Sequence, residues 1–537
     1  MSSPNKSNSR GSKSTQKLEV IDNIIERKIG FGLYQKRALG YLCLIDFNDG
    51  LELILMSLTL PIIKSQWNIE HANEVGEGEQ YIDSSRYKWL GSIFFLGNLL
   101  GALLTGPLSD KFGRRKVVLI NSISYGIVAF LFLFVESLGE LYVLRFIYGF
   151  VYGITLPIST TFYSEITPQK MRGKGVVTIN SAIPVGLASG VILAAIVLND
   201  TSSGNWRLLI SLSCVPAFIL FYGAYKHLLE SPRFLVVDKR IQEAADIMNQ
   251  MITINKGDGG EVVTDDEMEQ LEKWRARKYD HFQGMTQIEQ VKNQLSLIYI
   301  KIFQLFQDKY TWISISLCVQ WFGIHFMSIG QTFILPFVQA QQKKGFGDML
   351  LVFFGEIPGV VMTFLIIDRQ YFGRKNSLIL FFGGCFVLNL LAYYQVSFSF
   401  VLSLSRFCYR QCHAVLYVIT NEIYETPLRT TGIGVNSAFA RFSTVIMPFI
   451  LVAIFDASTY GPFLCLSIIA AVCALMAYKL PFDTTNIKLD HIEEELEQRT
   501  HPLDTIKEEN MSSSQKSNNS HQPNKQQDIE IPLIQQK

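Results

Sequence analysis

Charge is scarce in this 537-residue chain: Asp, Glu, Lys and Arg make up 18% of it, while hydrophobic residues make up 48%. Soluble chains carry about a quarter charged residues. Here the charges cluster and the apolar residues run together, so lipid is the solvent for most of the chain. A net charge of +1 gives nucleic acid nothing to grip, and none is expected as a partner. Eight cysteines (43, 214, 318, 385, 408, 412, 465 and 473) all fall inside apolar runs, without metal-ligand spacing in a polar loop. That argues against a disulfide framework and a zinc site, and neither a metal nor a cofactor is expected. No nucleotide-binding loop or nucleophile elbow occurs, so the chain does not read as an enzyme. The first 35 residues lack the apolar core of a cleavable signal, which makes the first apolar run an uncleaved anchor.

What is present is a series of apolar runs long enough to cross a bilayer, which takes about 20 helical residues. They lie near 39–60, 88–108, 117–136, 141–165, 174–198 and 206–226, then near 312–338, 348–367, 377–396, 398–424, 431–456 and 460–480. The expected fold is an all-α membrane protein of twelve transmembrane helices in two pseudo-symmetric six-helix bundles. The domains follow: an N-terminal segment 1–36, a first bundle 37–226, a linker 227–311 carrying short amphipathic helices such as Met268 to Lys278, a second bundle 312–480 and a tail 481–537. The tail starts acidic (Glu493, Glu494, Glu495) and then turns Ser/Asn/Gln-rich, a composition that cannot bury a core, so it reads as largely disordered.

Basic residues fix the expected orientation. Lys111, Arg114, Arg115 and Lys116 follow span 2, Lys170, Arg172 and Lys174 follow span 4, and Arg369, Arg374 and Lys375 follow span 8. The alternate loops 137–140 and 457–459 carry no positive charge, so both termini are expected in the cytoplasm. Asn199-Asp200-Thr201 then lies on the opposite face, as a glycosylation acceptor or an unused sequon.

The chain also repeats itself. Glu165 precedes Arg172 as Glu422 precedes Arg429, and Asp110 precedes Gly113-Arg114 as Asp368 precedes Gly373-Arg374. The acids are offset by 257 and 258 residues between the halves. Two matches in register, each at a helix end, point to a duplicated six-span unit, which is how one large transporter architecture is built.

These residues resemble the major facilitator superfamily, from Gly30 to Pro481. GPLSDKFGRRK (106–116) looks like its loop between helices 2 and 3, RFIYGFVYG (145–153) like helix 4, and LESPRFL (229–235) like the motif after helix 6. A narrower resemblance, to synaptic-vesicle-two-related and niacin-type transporters, rests on GFGLYQ (30–35), DGLE (49–52), GEIPG (355–359), NEIYETPLRTTGIG (421–434) and Ala440-Arg441. WFGIHFMSIG (321–330) fits only partly, with Ser328-Ile329 where that group has tyrosines. PFDTTN after the last span departs from the sugar-porter ending.

Ionisable side chains at membrane depth cost a few kcal/mol or more and therefore face a cavity or a partner. Asp46, Asp49 and Glu52 share one side of span 1, and Arg145 lies in span 4. An acid of span 1 paired with Arg145 would couple proton uptake to conformation, as the resemblance to proton-coupled sugar porters implies; Asp49 fits the family pattern best, with Glu52 beside it. A static ion pair in a facilitator is the alternative. Candidate cavity residues are Gln320, Trp321, His325 and Gln331 in span 7, Glu356 in span 8, and Arg410 and Tyr417 in span 10. Amide and aromatic groups suit a small ring-bearing solute, and an arginine favours an anion. Arg406 and Arg410 have the alternative of lying near the outer surface and pairing with Glu356. At the basic ends, Asp110, Arg114, Glu165, Arg172 and Glu230 form one expected gate network, and Asp368, Arg374, Glu422 and Arg429 its counterpart. The resemblance implies that such networks latch one of two rocking states. Gly149 and Gly153 are expected to let span 4 pack closely.

The functional expectation is a monomeric secondary transporter, with the lipid bilayer and a small-molecule substrate as partners and protons as a candidate co-substrate. The plasma membrane or an intracellular vesicle membrane would hold it. The expected cargo is a small organic solute, an organic ion or a nicotinate-like molecule, moved by alternating access; a hexose porter and a non-transporting vesicle protein are the alternatives.

Overall fold

The computed structural model describes residues 20–74, 84–198, 200, 203–279, 296, 298–307, 310–366, 373–424 and 426–481. Among them, nine helices are long and apolar enough to cross a membrane. Three further spans bring the total to twelve. They are span 1 (Leu33–Glu74), span 8 (Phe346–Phe354 continuing as Glu356–Ile366) and span 10 (Phe398–Ile423). Spans 1 and 10 fall short of the others because they hold charges, Asp46, Asp49 and Glu52 in the first and Arg406 and Arg410 in the second, whereas span 8 is apolar but is broken at Gly355 into two short helices. The two exceptions to hydropathy, spans 1 and 10, thus carry buried charges.

The remaining spans are 2 (Ser84–Phe112), 3 (Arg114–Leu131), 4 (Leu138–Ile166), 5 (Gln169–Asn180 and Ala182–Val197), 6 (Trp206–Ser211 and Cys214–His227), 7 (Thr311–Gln342), 9 (Arg374–Tyr393), 11 (Thr426–Ala457) and 12 (Gly461–Tyr478). Their packing repeats between halves. Span 1 lies on span 5 as span 7 lies on span 11, span 3 on 6 as 9 on 12, and span 2 on 4 as 8 on 10. Span 2 meets span 11, span 5 meets span 8 and span 1 meets span 7, so the two bundles face each other across a pseudo-twofold interface.

Small residues set the closest approaches. A Cβ on Gly149 would come within 2.0 Å of the Phe94 carbonyl oxygen, and one on Gly153 within 2.2 Å of that of Asn98. Spans 2 and 4 therefore touch backbone to backbone, as the sequence leads one to expect.

Outside the spans, the linker forms the helices Pro232–Val237, Ile241–Lys256 and Asp265–Tyr279. The N-terminal turns Val20–Ile29 pack on them: Ile21, Ile24, Ile25 and Ile29 are buried with Leu235, Met248, Met251, Ile252 and Leu271. Asn255 ties this layer to span 1, accepting the Tyr34 N–H at 2.9 Å and donating to the Gln35 side chain at 2.8 Å. Asn199, Asp368, the acidic residues 493–495 and the rest of the tail lie outside the described residues.

Candidate functional site

Spans 1 and 4 run antiparallel, and their contacts follow one register. Ser159 donates to Asp46 at 2.9 Å, Thr155 donates to Asp49 at 3.0 Å, and Arg145 donates to the Thr59 hydroxyl at 3.2 Å. Each step forward along span 1 is met by a step back along span 4. This register separates two residues that the sequence brings together: Arg145 is level with Thr59, about 15 Å of helix axis from Asp49. Among the described residues no carboxylate lies within ion-pair distance of Arg145. Glu52, one turn beyond Asp49, is the acid whose field reaches it. All three acids are buried, and Glu52 lies beside Tyr148 and Ser213, whose hydroxyls are 2.8 Å apart.

In the second half, span 7 and span 10 build a ring of aromatic and imidazole groups. Trp321 stacks with His325 (centroids 5.6 Å, planes 20° apart) and meets Tyr417 edge-on at 4.7 Å. His413 lies 5.1 Å from His325 and 5.0 Å from Tyr417. Trp321 itself is buried and donates to the Thr420 hydroxyl at 2.9 Å, so it backs this cage rather than lining it. Two guanidiniums act on the cage: Arg410 on His413 and Tyr417, and Arg441 of span 11 on His325 and Tyr417. Arg410 also acts on Asp46 across the interface between halves. Tyr417 is 40% exposed, so the cage is not fully covered.

The other cavity candidates divide. Gln320 is buried and donates to the Ser316 hydroxyl at 3.0 Å. Gln331 is buried with neither side-chain polar atom bonded. Glu356 pairs with Arg406 at 2.7 Å, and Arg406 also donates to the Ser328 carbonyl at 2.7 Å. The ion pair with Glu356 is therefore made by Arg406, while Arg410 lies in the field of Glu356 as well as beside the cage. His413 and Arg441 join the cavity from outside the candidates expected from sequence. The spacing 410, 413, 417 along one helical face is the signal that would have found His413.

At the basic ends, Arg114 lies 3.0 Å from both Asp110 and Glu165, and Arg374 lies 2.8 Å from Glu422. Glu230 accepts the Arg115 backbone N–H at 3.0 Å. Arg172 is drawn elsewhere: it pairs with Asp22 of the N-terminal turns, as does Arg233 at 2.6 Å. Burial pushes the Asp22 carboxyl up, but the hydrogen bonds and charges of Arg172 and Arg233 outweigh it and hold the carboxyl below its ordinary range. The Arg429 Nε is buried without an acceptor.

At the far end the two halves close on each other. Lys88 lies 3.7 Å from Asp456, Trp89 meets Phe449 edge-on at 5.0 Å, and Gly91 is packed against Phe333 and Pro448.

The chain and its two-bundle fold are matched by known proteins. The family described as "Sugar (and other) transporter" matches residues 42–496. The chain belongs to this family, within the major facilitator superfamily, whose members are transporters and not enzymes. Among its relatives, the Organic cation/carnitine transporter 7 of Arabidopsis thaliana is 26% identical over 457 residues, covering 79% of this chain and 87% of that protein. The Synaptic vesicle 2-related protein of Bos taurus is 25% identical, covering 87% and 81%. The Niacin transporter NiaP of Acinetobacter baylyi is 26% identical, covering 68% and 77%. The inward-open structure of the xylose transporter XylE from E. coli superposes with a TM-score of 0.62 at 18% identity, over 85% of this chain and 98% of that one, a likeness of fold.

Proposed function

We propose that this transporter carries a small organic anion with a flat ring, coupled to protons, by rocking its two bundles about the cage between spans 7, 10 and 11. The observation that carries the reading is the cage itself: aromatic and imidazole faces with Arg410 and Arg441 acting on it. A planar ring stacks on such faces, and a carboxylate meets the guanidiniums. The relatives named for organic cations and for niacin support a small organic ion, and of the two signs the arginines favour the anion. By the positive-inside rule the basic end is cytoplasmic, as are both termini, and the far end, closed by Lys88, Asp456, Trp89 and Phe449, faces outside.

The proton enters through the acids of span 1. Asp49 accepts from Thr155 and is flanked by Asp46 and Glu52 at helical spacing of three. Like charges on successive turns of one helix oppose one another's ionisation, which suits the ladder to taking up and releasing a proton as the cation environment changes. Asp46 has Arg410 in its field and Glu52 has Arg145, which gives the ladder a cation at each end.

Proteoliposome uptake tests this directly, against nicotinate, other organic anions, organic cations and hexoses, each with and without a proton gradient. Accumulation of a ring-bearing anion driven by the gradient is expected. Uptake of hexoses alone would replace the anion reading, and no uptake of any solute would favour a non-transporting vesicle protein.

A further inference from the structure

Beside the Thr59 hydroxyl that Arg145 contacts, the far half of the protein encloses a small cavity that the transport reading does not use. Its wall includes Leu53, Met56, Ser57, Phe94 and Phe333, with Arg145 as its charged member. The space left inside takes about one body the size of a water molecule or a halide ion. Arg145 is 1% exposed. A guanidinium has five N–H donors. Here one reaches the Thr59 hydroxyl at 3.2 Å, another reaches the Leu90 carbonyl at 3.5 Å, and Nε has no acceptor. Glu52 acts on Arg145 only from beyond ion-pair distance. A cation buried this deeply without a contacting counter-charge costs several kcal/mol. A water molecule would satisfy a donor but leave the charge.

We propose that the cavity is a binding site for a small inorganic anion of chloride size, held against the guanidinium of Arg145. Its size excludes the organic solute proposed for the central cage. The apolar wall suits a weakly hydrated halide better than a polyvalent oxyanion. Phe333 comes from the second half and the other wall residues from the first, and Gly91, also on the wall, packs against Phe333 and Pro448. The anion is therefore enclosed only while the far end is shut, so its binding stabilises that conformation. This site stands whichever solute the cage takes.

The test uses the purified full-length protein in nanodiscs, comparing sodium chloride with sodium gluconate at equal ionic strength. Chloride is expected to raise the melting temperature by a few degrees with a saturable dose response, and to speed disulfide crosslinking between cysteines placed at Trp89 and Phe449. Thr59→Asp supplies a carboxylate at the position Arg145 already contacts, so its melting temperature should not respond to chloride. Should that variant fail to fold, bromide soaked into crystals of the wild-type protein gives a direct reading: an anomalous peak within hydrogen-bonding reach of Arg145 supports the site. Equal melting in chloride and gluconate, a Thr59→Asp response like the wild type's, or no bromide peak at Arg145 would each overturn it, leaving water as the occupant.

Discussion

Arg374 lies 2.8 Å from Glu422 in the second bundle, in the same relation that Arg114 holds to Glu165, at 3.0 Å, in the first. Both arginines follow a glycine with positive φ, Gly113 at +92° and Gly373 at +57°, that starts the next helix. The duplication written in the sequence is thus repeated as side-chain geometry. Each pair is made inside its own bundle, so neither holds the far end closed. We propose that their charges serve the opposite state, in which the basic ends meet. Glu165→Gln should therefore favour far-end closure, by about 0.5–1 kcal/mol for a half-buried pair, or roughly two- to fivefold in population. Cysteines at Trp89 and Phe449 report it: their crosslinking should speed up in the variant, and an unchanged rate would remove the latch role.

Asp49→Asn keeps the acceptor for Thr155 but cannot exchange a proton. It should abolish accumulation driven by a pH gradient while sparing solute exchange at equal pH. Gradient-driven accumulation at the wild-type level would move the coupling role to Asp46 or Glu52.

Arg441→Ala removes a guanidinium that acts on both His325 and Tyr417. If it meets a carboxylate in the cage, its loss costs about 1.5–3 kcal/mol of binding, roughly 10- to 150-fold in half-saturation for an anionic solute. Arg441→Lys should recover part of it. Equal half-saturation in all three proteins would take Arg441 out of the cage.

Gly149→Ala drives a methyl group to 2.0 Å from the Phe94 carbonyl oxygen. Overpacking of that kind costs about 1–3 kcal/mol and should lower the melting temperature. Gly139→Ala, which meets nothing within 4 Å, is the control expected to melt like the wild type.

The clasp of Asp22 on Arg172 and Arg233 gives a pH dependence of known sign. Its carboxyl is held below the ordinary value, so the clasp contributes stability above about pH 4 and loses it as pH falls through the folded value. Hydrogen exchange over residues 20–30 should be slow at pH 7 and relatively faster, after correction for intrinsic rates, below pH 4. Asp22→Asn should expose the segment at pH 7 and flatten that response. Protection in the variant equal to the wild type's would make the isoleucines alone responsible.

Sequence by itself determined the twelve spans, their two-bundle repeat and the identity of the buried charges. Those rest on local properties: apolar length, the cost of charge in lipid and the spacing of like residues along one chain. It also gave the close packing at Gly149 and Gly153, since only a missing side chain permits it. What it left undecided was which charge meets which. The antiparallel register of spans 1 and 4 set Arg145 against Thr59 and gave Asp49 to Thr155, and no pattern within either helix records that offset. Arg172 was taken by Asp22, 150 residues away in the chain. His413 and Arg441 joined the cage because spans 7, 10 and 11 converge there. Such pairings depend on rotation and depth of packed helices, which the whole tertiary structure sets at once through burial and backbone contact.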